Sequence, residues 1–572
     1  MDSINKSSGL TTIRGLVSGP QSLFTPLNVS AILIALGVCA PILALVWQAF
    51  HADLSHWQNL LRFVLPTAVI NTALLLTGVG LMVTIIGVGC AWAVTAWSFP
   101  GRRILSWALL LPLAMPTYIV AFAWLDLLHP IGPLQTALRW VLGYDSPRQF
   151  RLPDLRSLPG AILLLGLVLY PYVYLTTRAM FISQPANLME AARTLGCSAT
   201  GAFFRVALPM ARPALAVGLS LALLETLNDI GASEFLGVQT LTVTVYTTWI
   251  TRSDLAAAAQ IACLMLVLIF ALLSVERYGR SKQGFSSRSS RDIAPVTVGG
   301  WRGGLLCTLV ALPVVLGFIA PVSFLAWESA KRLADDAPIS SQLLGALQNT
   351  LTLAAGVTLV VVAVSLLVAW NARHMAMGNP AQGVRRGVMR LASLGYAVPG
   401  TLLAIGFLTP AMALDRWLAD LLGMRGLPLM SAGVLLVICC AIRFQTIAIG
   451  ALDSGLARIS PTLEQASRSL GESGGRTFTR VHFPLLRPAL VSSALLVFAD
   501  AMKELPTTLL LRPVNFETLA TLLYAEAARG TYEDGAIAAL LIVLAGILPV
   551  ILLTRHQRRG KGRDDVRNCA AS

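Results

Sequence analysis

Between Val64 and Phe99 the chain carries no charged residue. A helix of that length in water needs a polar outer face, whereas about 20 apolar residues cross a bilayer core. Runs of this kind recur along the chain. The candidates are Ala31 to Phe50, a span within Val64 to Phe99, Ile104 to Trp124, Leu158 to Thr177, Pro213 to about Gly231, and Ala256 to Val275. A second set follows: Gly303 to Trp327, a span within Leu343 to Trp370, Leu391 to Leu414, Leu427 past Arg443, Pro488 to about Leu505, and Gly535 to Thr554. Only 12% of the 572 residues are charged and 56% are apolar, with a mean hydropathy of +0.72. Soluble domains carry about 25% charged residues. The expected class is an all-α polytopic membrane protein with about 12 transmembrane helices.

The net charge of +15 raises the question of a nucleic-acid partner. The basic residues sit mostly in short loops between apolar spans, which is the positive-inside pattern, so no nucleic acid is expected. Arg102-Arg103, the segment from Arg277 to Gly303, Arg385-Arg386-Arg390 and the RHQRRGKGRDDVRN tail all fall on one side. That side reads as cytoplasm, with both termini inside. The expected divisions are a cytoplasmic segment 1–28, a first transmembrane half 29–276, a Ser/Gly/Arg-rich cytoplasmic linker 277–302, a second transmembrane half 303–554 and a cytoplasmic basic tail 555–572. The first apolar span follows a polar, mildly basic start without a small-residue cleavage site, and reads as a retained helix.

The two halves repeat one plan. EAARTLGCSATGAFFRVALPMARPAL (Glu190 to Leu215) aligns without a gap on QASRSLGESGGRTFTRVHFPLLRPAL (Gln465 to Leu490). Asn71-Thr72 matches Asn349-Thr350, and Pro116 matches Pro399. Glu225 and Asp229 follow the first loop as Asp500 and Glu504 follow the second. An even number of spans per half makes the repeats parallel about an axis normal to the membrane, with a pathway expected between them.

The repeated loop reads as helix, turn, helix. Glu190-Ala191-Ala192-Arg193-Thr194-Leu195 favours helix, and Gly196 can stop it with a left-handed residue. An amphipathic stretch with Phe203, Phe204, Val206 and Leu208 follows, which Pro209 is expected to end. An apolar face in the cytoplasm needs a cover, either a partner or the chain's own bundle.

The pattern E-A-A, three residues, G, then twelve residues to L-P resembles the coupling motif of binding-protein-dependent ABC importer permeases, of MetI-like, type I fold. The second copy departs from it: Gln465 stands where the glutamate belongs, with Glu464 one residue earlier. The resemblance implies that Glu190, Ala191, Ala192, Gly196, Leu208 and Pro209, with Gln465, Ala466, Gly471, Phe483 and Pro484, form two ATPase-coupling loops. FPGRR (Phe99 to Arg103), SLPGA (Ser157 to Ala161), LYPYVYL (Leu169 to Leu175), ETLNDIG (Glu225 to Gly231) and KELPTTLLLRP (Lys503 to Pro513) look like the fused, two-half ferric-iron permeases. That implies an inner-membrane permease importing Fe(III) from a periplasmic binding protein, driven by two copies of a separate ABC ATPase. Thiamine, phosphonate and polyamine importers share the architecture.

No G-x-x-x-x-G-K-[ST] phosphate loop occurs, so the chain is expected to bind no cofactor and to hydrolyse no ATP alone. Glu225, Asp229, Asp500 and Glu504 lie near the outer ends of the fifth and eleventh spans, where charges are costly and functional by default. Each pair, spaced by four, is expected on one helical face. They form a speculative substrate pathway. The preferred alternative is structural: Lys503 pairs with an acid, or the acids cap helix ends or join the halves. No metal ligand is assigned, because no histidines have paired spacing. Arg443 is expected to snorkel to the cytoplasmic edge and His482 to lie at the surface. A twelve-span secondary transporter would also have two parallel halves, but would have no reason to duplicate a docking loop.

Overall fold

The computed structural model describes residues 26–551 except 52–57, 59, 185, 281–294, 335–339, 378–394, 396–397, 424–427, 432, 532–534 and 548–550. Among the described residues, ten helices are long and apolar enough to cross a membrane, and a bent pair makes an eleventh span. The first half contributes α1 (Pro26–Phe50), α2 (Leu65–Ala96), α3 (Thr117–Leu127), α4 (Leu158–Ser183), α5 (Leu208–Asn228) and α6 (Leu255–Arg280). The second contributes α7 (Gly300–Val314, continuing to Ala334), α8 (Ser341–Met377), α9 (Gly400–Leu422), α10 (Val434–Ala457), α11 (Phe483–Met502) and the shorter α12 (Gly535–Ile547).

The third span is not the straight helix expected over Ile104 to Trp124. Arg102–Ala114 and Thr117–Leu127 meet at 93°. Pro112 and Pro116 lack the N–H groups that a continuous helix needs, and Pro116 is extended at φ −60°, ψ 146°. The second half repeats the extended proline. Pro399, at φ −52°, ψ 144°, precedes α9, which therefore starts later than the expected Leu391. Residues 391–394, and Arg385, Arg386 and Arg390, lie outside the described residues, as do the terminal segments used to orient the chain.

The halves exchange spans. One apolar core joins Leu75, Phe122 and Val173 of the first half to Phe318 of α7's continuation and Val543 of α12. The other joins Leu45 of α1 and Ile261 of α6 to Leu403, Phe444 and Val497 of the second half. Glycines permit the closest approaches. A Cβ on Gly406 would lie 2.1 Å from the Pro41 carbonyl oxygen, where α9 meets α1. One on Gly546 would lie 2.1 Å from the Ala114 oxygen, again across the halves. Small residues at such crossings let backbones touch, which is how packing holds helices together in lipid.

The repeat extends to two short helices that the hydropathy pattern missed, Leu241–Ile250 and Leu519–Arg529. Each is tied to its own half in the same way. Asn71 donates to the Gln239 carbonyl at 3.2 Å, and Leu241 N–H donates to Thr72 Oγ1 at 2.9 Å. Asn349 donates to the Glu517 carbonyl at 2.9 Å, and Leu519 N–H donates to Thr350 Oγ1 at 2.8 Å. The end of the expected linker is ordered: Val296–Thr297 pairs in parallel with Trp97–Ser98.

Candidate functional site

The two repeated loops match in chemistry as well as in sequence. Helices Ala186–Thr194 and Pro461–Ser469 each stop at a glycine with positive φ, Gly196 at 85° and Gly471 at 82°. Cys197 N–H reaches back to the Ala192 carbonyl at 3.0 Å and Glu472 N–H to that of Ser467 at 3.2 Å, which closes the left-handed stop. Space is open where a Cβ would stand on either glycine, so it is the backbone conformation that requires them. Ser198 and Ser473 then accept the N–H of Gly201 and Arg476 and restart the helix.

Pro209 does not end the second stretch. The helix runs unbroken from Thr200 to Asn228 and, in the second copy, from Gly474 to Met502. Each passes through one wide π turn, Phe203–Ala207 or Phe478–His482. There Leu208 and Phe483 bond five residues back, to Phe203 and Phe478. The extra residue takes up the step caused by a proline that has no N–H and crowds the preceding turn. Leu208 and Pro209 are half-buried, whereas Phe483 and Pro484 are exposed. Trp92 packs on Phe203 at 4.9 Å and Trp370 on Phe478 at 4.6 Å, seating each π turn on its own half.

Glu190 and Ala191 are exposed and Ala192 is buried; Gln465 and Ala466 are exposed. Leu195 and Leu470 are each 84% exposed at the helix ends. The loops differ behind this surface. Glu464, 3% exposed, turns inward. Its oxygens meet Arg468 at 2.9 Å, Arg373 of α8 at 3.4 Å and His482 at 3.6 Å. Arg373 also donates to the carbonyls of Leu456 and Ile459 at the end of α10. His482 is therefore not at the surface. It is fully buried and stands edge-on to Trp370 at 4.8 Å. Ala207 fills the same place in the first loop.

The four membrane acids do come together. Glu225, Asp229, Asp500 and Glu504 all line one cavity of about 130 Å³ between the halves, with Lys503, Arg443, Tyr118 and Asn228. They do not pair on helical faces. The helix α5 ends at Asn228 and α11 at Met502, so Asp229 and Glu504 stand beyond their helices. Asp229 accepts from Thr117 Oγ1 at 2.6 Å and from Ser233 N–H at 2.8 Å, opening the helix Gly231–Phe235. Glu504 accepts from Thr507 N–H at 2.9 Å, opening Pro506–Leu511. Asp500 pairs with Lys503 at 2.8 Å. Arg443 does not snorkel: it is buried and ion-paired with Glu504. The capping and pairing roles weighed from sequence are thus occupied, and four acids face two cations in this cavity.

Contacts across the halves frame the same place. Tyr118 donates to the Lys503 carbonyl at 3.3 Å, and Gly400 N–H donates to Asn228 Oδ1 at 3.0 Å. Sequence reasoning passed over Asn228 and Thr117. The only signal was their adjacency to an acid and to the repeated proline.

A family model described as the binding-protein-dependent transport system inner membrane component matches residues 83–279 and 375–562. Each match contains one copy of the repeated loop and one pair of acids. The chain belongs to this family. It is therefore a multi-pass inner-membrane permease of an ABC transporter, a transport component and not an enzyme, and ATP is hydrolysed by a separate subunit. Partners of the family's kind, an ATPase and a substrate-binding protein, follow in general. The "Fe(3+)-transport system permease protein FbpB 2" of Haemophilus influenzae is 24% identical over 536 residues, 93% of this chain and 98% of that one. The "Putative 2-aminoethylphosphonate transport system permease protein PhnU" of Salmonella paratyphi A is 32% identical over 33% of this chain and 66% of its own length. The "Probable molybdenum ABC transporter permease protein" of Haloferax volcanii is 28% identical over 42% of this chain and 84% of its own.

Proposed function

We propose that this permease carries ferric iron, delivered by a periplasmic binding protein, through the space between its halves by alternating access. The observation that carries the reading is the end-to-end likeness to the Fe(3+)-transport permease, 93% of one chain against 98% of the other. The phosphonate and molybdenum relatives match 33% and 42% of this chain. The acid excess in the cavity supports a cationic cargo, because four carboxylates face two cations.

In this reading both termini and both loops are cytoplasmic. Glu190, Ala191, Ala192, Gly196, Leu208 and Pro209 form one docking element for an ABC ATPase. Gln465, Ala466, Gly471, Phe483 and Pro484 form the other, so two ATPase copies are engaged. Closure of the ATPase pair on ATP presses the loops together and opens the far end of the bundle. Cargo enters between the halves, and hydrolysis restores the resting state. Glu225, Asp229, Asp500 and Glu504 hold the pathway's shape and sign.

The test is uptake of radiolabelled Fe(III) into proteoliposomes holding the permease, its ATPase and its binding protein. ATP-dependent accumulation that requires the binding protein is expected. ATPase stimulation by the loaded binding protein without iron entry would discard iron and keep the importer, and phosphonate, molybdate, thiamine and polyamines would be tried next.

A further inference from the structure

Tyr246 and Tyr524 occupy the same place in the two short helices of the repeat, one turn and a half past the Thr-capped starts at Thr240 and Thr518. Their rings meet edge to face with centroids 6.4 Å apart. A residue and its repeat equivalent can touch only near the axis that relates the halves. Two further contacts converge on Tyr524 from the first half. Its hydroxyl donates to Glu234, and its ring stacks on Phe235 at 5.6 Å. Glu234 and Phe235 belong to the helix Gly231–Phe235, whose first residue lines the cavity. The cluster therefore lies past the end of α5, at the end of the cavity remote from the coupling loops.

Each tyrosine is fixed to its own half. Asn71 and Thr72 hold the helix of Tyr246 to α2, and Asn349 and Thr350 hold the helix of Tyr524 to α8. If the halves part at this end, the two helices travel with them, and the tyrosine pair and the Glu234 bond must break. We propose that Tyr246, Tyr524 and Glu234 form a latch on the pseudo-twofold axis that closes the outer mouth of the pathway in the resting permease.

The latch is chemically one-sided. The first half supplies a carboxylate acceptor and the second a phenol donor. A hydrogen bond to a charged acceptor is among the stronger kinds, and its loss shifts a two-state equilibrium by about tenfold. Opening of the mouth would also uncover a carboxylate and two phenol oxygens to the arriving cargo. The proposal rests on the alternating-access reading but not on the identity of the cargo.

The experiment measures ATPase activity of the reconstituted complex, with and without loaded binding protein, for wild type, Tyr524→Phe, Glu234→Leu and the double variant. Without the latch, the outward-open state needs less help from the binding protein. Basal activity is expected to rise roughly tenfold in each single variant, with stimulation by the binding protein reduced by the same factor. The double variant is expected to match the singles, because both remove one bond. A merely structural role would lower activity and the thermal midpoint together. Wild-type stimulation combined with wild-type basal rates in properly folded variants overturns the latch. If Tyr524→Phe fails to fold, Glu234→Leu decides alone. An unstimulated wild-type complex would instead count against the importer reading.

Discussion

Asn228 Oδ1 accepts the N–H of Gly400 at 3.0 Å, so the last residue of α5 caps the first residue of α9 across the two halves. The bond exists because α9 begins at Gly400 after the extended Pro399, and the first N–H groups of a helix have no helical partners. Gly400 has no room for a side chain here: a Cβ would lie 2.3 Å from Thr507 Oγ1. Asn228→Ala is expected to leave a buried N–H unsatisfied at a cost of about 1–3 kcal/mol. The check is a lower thermal midpoint of the purified permease, with Asn228→Asp retaining part of the lost stability.

Arg443 and Glu504 form a buried ion pair beside that cap, with side chains 9% and 4% exposed. Removing one partner strands the other charge. Arg443→Ala or Glu504→Ala is expected to destabilise by about 3–5 kcal/mol. The double change Arg443→Met with Glu504→Leu is expected to be far milder, because no charge is left unpaired. Denaturation curves of the three proteins in one detergent separate these outcomes, and equal losses in all three would refute a pairing role.

Glu464 and Glu190 sit on matching helices, but only Glu464 is buried, against Arg373, Arg468 and His482. Glu464→Ala is expected to loosen helix Pro461–Ser469 and raise its amide exchange at least tenfold. Glu190→Ala, at an exposed position, is expected to leave exchange of its own helix within about twofold. Hydrogen-exchange mass spectrometry reads both helices in one experiment.

Gly196 and Gly471 hold φ of 85° and 82° with no neighbour near a would-be Cβ. Substitution by valine is expected to cost about 1–3 kcal/mol of local strain and to displace the exposed helix rather than the bundle. Uptake in proteoliposomes is then expected to fall at least tenfold while the permease keeps its thermal midpoint. Uptake at the wild-type rate in both variants would remove these loops from the coupling path.

Gly406 lets α9 lie on the Pro41 carbonyl of α1. Gly406→Ala is expected to force these backbones apart and destabilise by about 1–3 kcal/mol. Gly356 on α8, with nothing near its Cβ, serves as the control and is expected to tolerate alanine. Thermal midpoints of both variants give the comparison.

Much of the architecture was legible because its signals are local. Charge-free runs marked the spans, and the paired loops with Gly196 and Gly471 marked the repeat. The match of Asn71-Thr72 with Asn349-Thr350 marked repeat positions only, and the structure shows them as the tethers of two short helices. Those helices escaped notice because they are shorter than a span and carry Thr and Tyr, so hydropathy alone does not set them apart.

The chain by itself determined its class, its two parallel halves, the equivalence of Pro116 and Pro399, and the positive-φ stops of the loops. Each follows from residue types within a turn or two of one another. Only the tertiary structure decided which charges face each other. Arg443 is 61 residues from Glu504, and Tyr524 is 290 from Glu234. It also decided that Pro209 bends a helix into a π turn instead of ending it, since the continuing span has lipid and neighbours to pack against. Local sequence sets backbone preference, but the partner of a buried charge is chosen by where packing brings distant segments together.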